Sequence, residues 1–158
     1  MAHEFKAQLV RVVDGDTIDA DIHLGFNMIM RDRIRLMGID TPESRTRNLQ
    51  EKSWGMASKH RLIELMAETD GHFVLHTEEM KKGKFGRVLG TIMVNGKDAN
   101  QVLIDEKLAI PYLGGNKDES RTKYGVVDLW NTDYENPQEH DDDHEHGDEP
   151  EGIDWHAE

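Results

Sequence analysis

Residues 7–39 read AQLVRVVDGDTIDADIHLGFNMIMRDRIRLMGI, and their pattern predicts the first three elements of the fold. Apolar and polar residues alternate strictly from position 17 to position 24, which is the pattern of a strand with one buried face. Asp14-Gly15-Asp16 and Gly25-Phe26-Asn27 interrupt the apolar pattern and predict turns on either side of that strand. Three consecutive strands are therefore expected, over 7–13, 17–24 and 28–39.

The hydrophobic period becomes helical in the next part of the chain. Apolar residues from Trp54 to Met66 fall on one side of a helix, and Gly71 ends it. Two further strands are expected over 72–78 and 86–94, followed by a short helix that Asp98 caps. This order favours a mainly β fold with helices, a five-stranded barrel of the OB type, over a parallel α/β sheet with a crossover between each strand pair.

Acidic residues are concentrated near the C-terminus. The 158 residues include 32 acids and 19 bases, and twelve of the acids lie in residues 132–158, which contain no Lys or Arg. Residues 1–131 therefore carry a net charge of only −1. The C-terminal segment has hardly any apolar residues to offset its ordering entropy. We expect one domain over 1–131, in which 114–127 is too polar and glycine-rich for a long helix, and a disordered, acidic, His-containing tail over 132–158.

Several classes of protein are excluded by composition. The chain has no cysteine, so disulfides, thiolate metal sites and cysteine nucleophiles are ruled out. No segment approaches the roughly 18 apolar residues of a membrane span, and the first residues lack the pattern of a signal peptide. We expect a cytoplasmic protein without a membrane partner, and a monomer.

Carboxylates occur together in two segments, 14–17 and 40–43. If the barrel brings these segments together, Asp16 and Asp40 supply hard oxygen ligands for Ca²⁺, and a backbone carbonyl and waters complete the coordination. The alternative is a solvated turn, because Asp-Gly is among the commonest hairpin signals. A divalent metal site is therefore a hypothesis that depends on the two segments meeting.

Arginines and one further carboxylate complete the chemistry that phosphodiester hydrolysis needs. Besides a metal, the reaction needs cationic groups on the phosphate and a base that orients water, and Arg35, Arg87 and Glu43 suit these roles. For Arg35 the alternative is a charged outer face shared with Arg31 and Arg33. For Glu43 it is an ordinary loop acid, and for Arg87 it is a protective charge at a strand edge.

Four motifs occur in order along the chain, and together they resemble the staphylococcal nuclease (thermonuclease) family. They are Val13-Asp14-Gly15-Asp16-Thr17, Arg35-Leu36-Met37-Gly38-Ile39-Asp40-Thr41-Pro42-Glu43, Lys84-Phe85-Gly86-Arg87 and a helix ending in Leu108-Ala109. The match covers about residues 9–112, and a weaker match occurs at Leu129-Trp130. The resemblance implies a five-stranded OB barrel and a Ca²⁺-dependent, sugar-nonspecific nuclease that hydrolyses phosphodiester bonds of DNA and RNA.

The resemblance also implies a metal site. Asp16 and Asp40 are implied as calcium ligands, and Thr41 as a ligand through its carbonyl oxygen. Asp14 stands where the family has an acid that supports the ligands without binding the metal. The expected cofactor is therefore Ca²⁺.

Catalytic roles are implied for three charged residues. By resemblance, Glu43 orients or deprotonates the attacking water, while Arg35 and Arg87 bind the phosphate and the charge that develops as the 5′-oxygen leaves. Each of these charged residues is present here.

Substrate contacts are expected at Lys84, Phe85 and Tyr112. Where the best-known member of the family has a tyrosine, this chain has Phe85, which can pack against a nucleotide but cannot donate a hydroxyl to a phosphate. Tyr112 is a candidate for stacking on a base, with core packing as the alternative.

Two alternative functions remain. The first is an OB-fold module that binds nucleic acid or protein without cutting, since such folds host many binding modules. The second is weak Zn²⁺ or Ni²⁺ binding by the His and Asp residues of 140–146, against a tail with no preformed geometry. The nuclease is favoured because a non-cleaving binder has no reason to keep two metal carboxylates, a water-orienting acid and two phosphate arginines together.

Overall fold

The computed structural model describes residues 3–78 and 86–135. The strands are β1 His3–Asp14, β2 Thr17–Gly25, β3 Met28–Leu36, β4 Ile39–Asp40, β5 His72–Thr77, β6 Val88–Val94, β7 Lys97–Asp98 and β8 Ile110–Pro111. The helices are α1 Leu49–Ala67, α2 Ala99–Asp105 and α3 Lys117–Lys123, and a 3₁₀ turn spans Leu129–Asn131.

Five of the described strands form a closed sheet. Strand β1 pairs antiparallel with β2 and with β5, β2 pairs with β3, and β5 pairs with β6. The sheet closes where β3 lies parallel to β6, with Ile34 opposite Val88. The predicted mainly β fold with helices and a five-stranded closed sheet is confirmed.

The core lies between the inner face of this sheet and α1. Alternation along β2 buries Ile18, Ala20 and Ile22, as the sequence pattern predicts. Leu62 and Leu65 of α1 are also fully buried. The two periodicities in the sequence, two residues and 3.6 residues, therefore meet in one hydrophobic core.

Several element boundaries differ from the prediction; helix α2, for example, ends at Asp105 rather than at Leu108-Ala109. The expected strand over 28–39 ends at Leu36, because Gly38 adopts a φ of +82° that a continuous strand cannot have. Helix α1 begins at Leu49 rather than Trp54, because the Asn48 side chain accepts hydrogen bonds from the backbone N–H groups of Gln50 and Glu51.

The region 114–127 contains only the seven-residue helix α3 in the structure, in line with the expectation of no long helix. The described chain continues past the predicted boundary at Asn131. Trp54 Nε1 donates to the carbonyl oxygen of Thr132 at 2.8 Å, and the Trp54 and Tyr134 rings meet edge to face at 4.9 Å. Residues 132–135 therefore pack on α1. The rest of the predicted tail, including 140–146, lies outside the described residues.

Membrane insertion through a helix has no support in the part of the chain that the structure describes. Among those residues, no helix is both long enough and apolar enough to cross a bilayer.

Candidate active site

The turn between β1 and β2 presents two carboxylates at one end of the sheet. The backbone N–H of Leu36 donates to the Asp16 carbonyl oxygen at 2.8 Å, which ties the turn to the end of β3. A Cβ added to Gly15 would overlap Ser58 Oγ of α1. Glycine is therefore needed in this turn because the helix packs directly on the backbone.

Arg35 is distinguished from the other arginines of β3 by its surroundings. Arg31 and Arg33 form ion pairs with Asp21 and Asp19 of β2, and both arginines are exposed. The Arg35 side chain is only 13% exposed, and its Nη1 lies 3.0 Å from the Leu36 carbonyl oxygen and 3.4 Å from Asp16 Oδ2. Arg35 therefore does not belong to a charged outer face shared with Arg31 and Arg33.

Arg87 reaches the same place through the pairing that closes the sheet. Arg35 lies opposite Leu89 in the parallel pairing of β3 with β6, and Arg87 precedes Leu89 by two residues. Side chains two residues apart on an extended chain point the same way. Both arginines consequently line one cleft. Lys84 and Phe85, the predicted substrate contacts before Arg87, lie outside the described residues.

The segment 39–44 contributes several residues to the lining of the same cleft. Strand β4 pairs with β8, which places Asp40 opposite Ile110. Asp40 is 1% exposed and Thr41 is 3% exposed. The Ser44 hydroxyl donates a hydrogen bond to Asp14 Oδ1, which joins this segment to the turn between β1 and β2. Asp14 therefore contacts the segment that contains Asp40 and Thr41.

Glu43 is held through its main chain. Its backbone N–H donates to Glu51 Oε2 at 2.9 Å, and Glu51 lies in the first turn of α1. Partial burial of the carboxyl raises the pKa of Glu43 above its ordinary value, while nearby Lys117 opposes that shift. The side chain is thus a somewhat stronger base than an ordinary glutamate when it is ionised.

Arg121 of α3 is a site residue that the sequence analysis missed. Its Nε lies 3.0 Å from Asp40 Oδ2, its Nη1 2.8 Å from Glu51 Oε2 and its Nη2 3.2 Å from the Thr41 carbonyl oxygen. The sequence signals the helix but not this role, because Asn116 with an acid three residues later, at Glu119, is a helix-start pattern.

A cleft of about 780 Å³ brings most of the predicted residues together. Asp40 is not among the lining residues; it is buried beside Thr41, where Arg121 and Lys117 contact its carboxylate. The predicted residues that line the cleft are Asp14, Asp16, Arg35, Thr41, Glu43, Arg87 and Tyr112.

Comparison with known protein families identifies one family whose model matches the chain. The family model for staphylococcal nuclease homologues matches residues 33–128. The chain belongs to the staphylococcal nuclease family. The matched span contains Arg35, Asp40, Glu43 and Arg87, whereas Asp16 precedes it.

Curated relatives of this staphylococcal nuclease homologue include proteins named as nucleases. Endonuclease YncB of Bacillus subtilis is 32% identical over 118 residues, 73% of this chain and 51% of the relative. Micrococcal nuclease of Shigella flexneri is 29% identical over 89 residues, 56% of this chain and 42% of the relative. An uncharacterized protein of Methanocaldococcus jannaschii is 29% identical over 157 residues, 82% of this chain and 73% of the relative. The chain spans about half or less of the two nucleases.

Three oxygen-bearing groups in or beside the cleft, on Asp16, Asp40 and Thr41, are candidate donors for a hard cation. A carboxylate has about four lone-pair sites, so Asp40 accepts from Arg121 with Oδ2 and can still offer Oδ1. Asp16 and the Thr41 carbonyl are further oxygen donors. Among the described residues, no three His, Asp or Glu side chains are grouped closely enough to hold a metal ion. A divalent cation held by these candidate donors would need water molecules to complete its coordination.

Tyr112 lies at the rim of the cleft of this nuclease homologue. Its hydroxyl donates to the Gly115 carbonyl oxygen at 2.8 Å, and Lys117 Nζ lies 5.8 Å from the centre of its ring. The ring is half-buried and lines the cleft. It therefore lies outside the hydrophobic core, with one part packed against protein and the other facing the cleft.

Proposed function

We propose that this staphylococcal nuclease homologue is a Ca²⁺-dependent, sugar-nonspecific nuclease that hydrolyses phosphodiester bonds of DNA and RNA. The observation that carries the proposal is that Arg35, Arg87, Glu43 and Asp16 line a single cleft. These four residues are far apart in the sequence. In addition, two relatives whose sequences match part of this chain are named as nucleases.

Asp16, Asp40 and the Thr41 carbonyl oxygen would hold the metal. When bound, Ca²⁺ supplies a Lewis acid that polarises the phosphate and offsets its negative charge. The assignment is supported by position, because Asp16 and Thr41 line the cleft and Asp40 directly precedes Thr41.

Glu43 would orient the attacking water and accept its proton. Its raised pKa favours proton acceptance, and the hydrogen bond from its backbone N–H to Glu51 limits where its side chain can go. Because Glu43 lines the same cleft as Arg35 and Arg87, it could act on a water next to a phosphate that the two arginines bind.

Arg35 and Arg87 would bind the phosphate and stabilise the charge that develops on the leaving 5′-oxygen. A guanidinium is planar and always charged, and its paired N–H donors match phosphate oxygens. Arg35 is partly held by the Leu36 carbonyl oxygen and Asp16, so it needs little reorganisation when substrate arrives. Lys84, Phe85 and Tyr112 remain the candidate substrate contacts.

The competing function is an OB-fold module that binds nucleic acid or protein without cutting it. The test is degradation of supercoiled plasmid and of a structured RNA by the full chain in Ca²⁺, in Mg²⁺ and in excess chelator. We expect cleavage of both substrates in Ca²⁺ and its loss in chelator. Glu43→Gln should bind DNA as the wild type does while losing most turnover, and binding without cleavage by the wild type would favour the competing function.

A further inference from the structure

Arg121 joins three parts of the site that are far apart in sequence. Its guanidinium contacts the side chain of Asp40, the carbonyl oxygen of Thr41 and the side chain of Glu51. Glu51 in turn accepts the backbone N–H of Glu43 through the same oxygen, Oε2, that Arg121 contacts. One side chain of α3 is therefore connected to two proposed metal ligands and to the main chain of the proposed base.

We infer that Arg121 is a positioning residue: it orients Asp40 and the Thr41 carbonyl toward the metal and, through Glu51, fixes the backbone of Glu43. The consequences of this positioning for catalysis rest on the proposed function. The contacts themselves do not involve substrate or metal.

The geometry of the contacts requires an arginine. Nε, Nη1 and Nη2 each serve a different acceptor, and only a guanidinium carries donors in three fixed directions. The group is 16% exposed and lies 5.0 Å from the centre of the Trp130 ring. A lysine there could neutralise one carboxylate but could not reach all three acceptors.

Lys117 cannot replace Arg121 in this role. Its Nζ lies 3.6 Å from Asp40 Oδ1, beyond hydrogen-bond distance, and its side chain is 46% exposed. A long, exposed ammonium loses rotamer freedom when it pairs, so this contact is weak. Arg121 hydrogen-bonds only to Oδ2 of Asp40, so Oδ1 keeps its capacity to accept another partner, as expected when one group supports a metal ligand.

A matched control is available on α1. Arg61 also makes three contacts, with Glu106 and Glu64, at 2.8, 3.1 and 3.2 Å, and is 29% exposed. It does not line the cleft. Arg61→Met therefore removes a comparable set of ion pairs from the same fold without touching the site.

The first measurement is hydrogen exchange at the Glu43 amide in the full chain without metal. We expect exchange about tenfold faster in Arg121→Met than in the wild type, because the charged acceptor of that amide loses its fixed position. Arg61→Met should leave the Glu43 amide unchanged, and Arg121→Lys should exchange nearly as fast as Arg121→Met. Equal Glu43 exchange in wild type and in both Arg121 variants would overturn the inference.

The second measurement is the Ca²⁺ dissociation constant by calorimetry, with the acidic C-terminal residues identical in every variant. Arg121→Met should bind Ca²⁺ about 10- to 100-fold more weakly, the usual loss when a partner of a metal ligand is removed. Tighter binding in Arg121→Met would overturn the inference, because Arg121 would then be a competitor of the metal. Absence of both Ca²⁺ binding and cleavage in the wild type would count against the proposed function alone, since amide exchange still decides the role of Arg121.

Discussion

Gly55 of α1 lies against the main chain of Glu43 so closely that a Cβ added to Gly55 would overlap the Glu43 carbonyl oxygen. The first turn of the same helix supplies Glu51, which accepts the Glu43 backbone N–H at 2.9 Å. Helix α1 therefore supports the proposed base by contact at one position and by a hydrogen bond at another. The position of Glu43 depends on the helix as much as on its own loop.

Gly55→Ala should lower both stability and turnover. On helix propensity alone, alanine in a helix interior stabilises by about 0.5–1 kcal/mol relative to glycine. Here the methyl group must displace the Glu43 backbone, so we expect a net destabilisation of about 1–3 kcal/mol and a reduced kcat. Urea unfolding and steady-state cleavage measure the two effects. Lys59→Ala on the same helix is the control, and a more stable, fully active Gly55→Ala protein would refute the close contact.

Arg87→Ala should reduce kcat by about 10²-fold, on the scale of losing one donor to transition-state charge. KM should change less, because Arg35 and the rest of the cleft remain to bind the phosphate. Single-turnover cleavage of a short DNA separates the two quantities. Arg33→Ala is the matched control, since Arg33 is an exposed arginine of the neighbouring strand that pairs with Asp19 outside the cleft. Equal losses in the two variants would show that net charge, not the position of Arg87, matters.

The strands were predictable because their signals are local. Alternation over 17–24 and the turn signals on either side predict a hairpin from neighbouring residues, and the structure contains it as β2 and β3. The grouping of Asp16, Arg35, Glu43 and Arg87 was predictable only through the order of family motifs, because no spacing rule brings residues so distant in sequence into one cleft.

The closure of the sheet and the role of Arg121 were not predictable from local patterns. The parallel pairing of β3 with β6 joins residues such as Ile34 and Val88, and no turn residue specifies it. No residue of helix α3 is fully buried and its sequence, KDESRTK, is polar, so it lacks the apolar stripe that marks a helix in a sequence. Its contact with Asp40 spans 81 positions and depends on the completed fold.

The Asp19–Arg33 ion pair should make stability depend on pH. The hydrogen bonds from Arg33 lower the pKa of Asp19 below 3.8, so the pair stabilises the fold above that pH and its contribution is lost as pH falls through the lower, folded value. Arg33→Met should cost about 0.5–1 kcal/mol at neutral pH, the size of a partly exposed pair. Urea unfolding across the acidic range checks this prediction. Arg11→Met, which removes a single longer contact of 3.2 Å, should cost less, and a pH-independent difference for Arg33→Met would contradict the assignment.

The proposed metal site should be weak. Only two carboxylates are assigned to it, and low ligand charge places Ca²⁺ dissociation constants around 10⁻⁴–10⁻³ M. Mg²⁺ demands stricter octahedral geometry, so we expect it to support slower turnover than Ca²⁺. Calorimetry and cleavage rates across a Ca²⁺ titration measure both properties, with Asp16→Asn as the variant that lowers ligand charge. Robust cleavage in excess chelator would contradict a metal-dependent mechanism.

The acidic C-terminal residues should compete with nucleic acid for the cleft. Residues 136–158 contain ten acids and no Lys or Arg. A chain of 23 residues can extend to at most about 80 Å, whereas a folded body of 135 residues has a radius of gyration of about 14 Å. Such a segment is long enough to reach Arg35 and Arg87, and its charge opposes that of a phosphate backbone.

A chain that ends at Glu135 should therefore show a lower KM for DNA at low salt than the full chain. We place the truncation after Glu135 rather than after Asn131, because Thr132 and Tyr134 contact Trp54. The difference should shrink as salt rises, since the screening length falls to about 8 Å near 0.15 M. The control is a full-length chain with Asn and Gln in place of the acids of 136–158, which should behave like the truncated chain. Equal KM for all three proteins at low ionic strength would mean that these residues do not compete for the cleft.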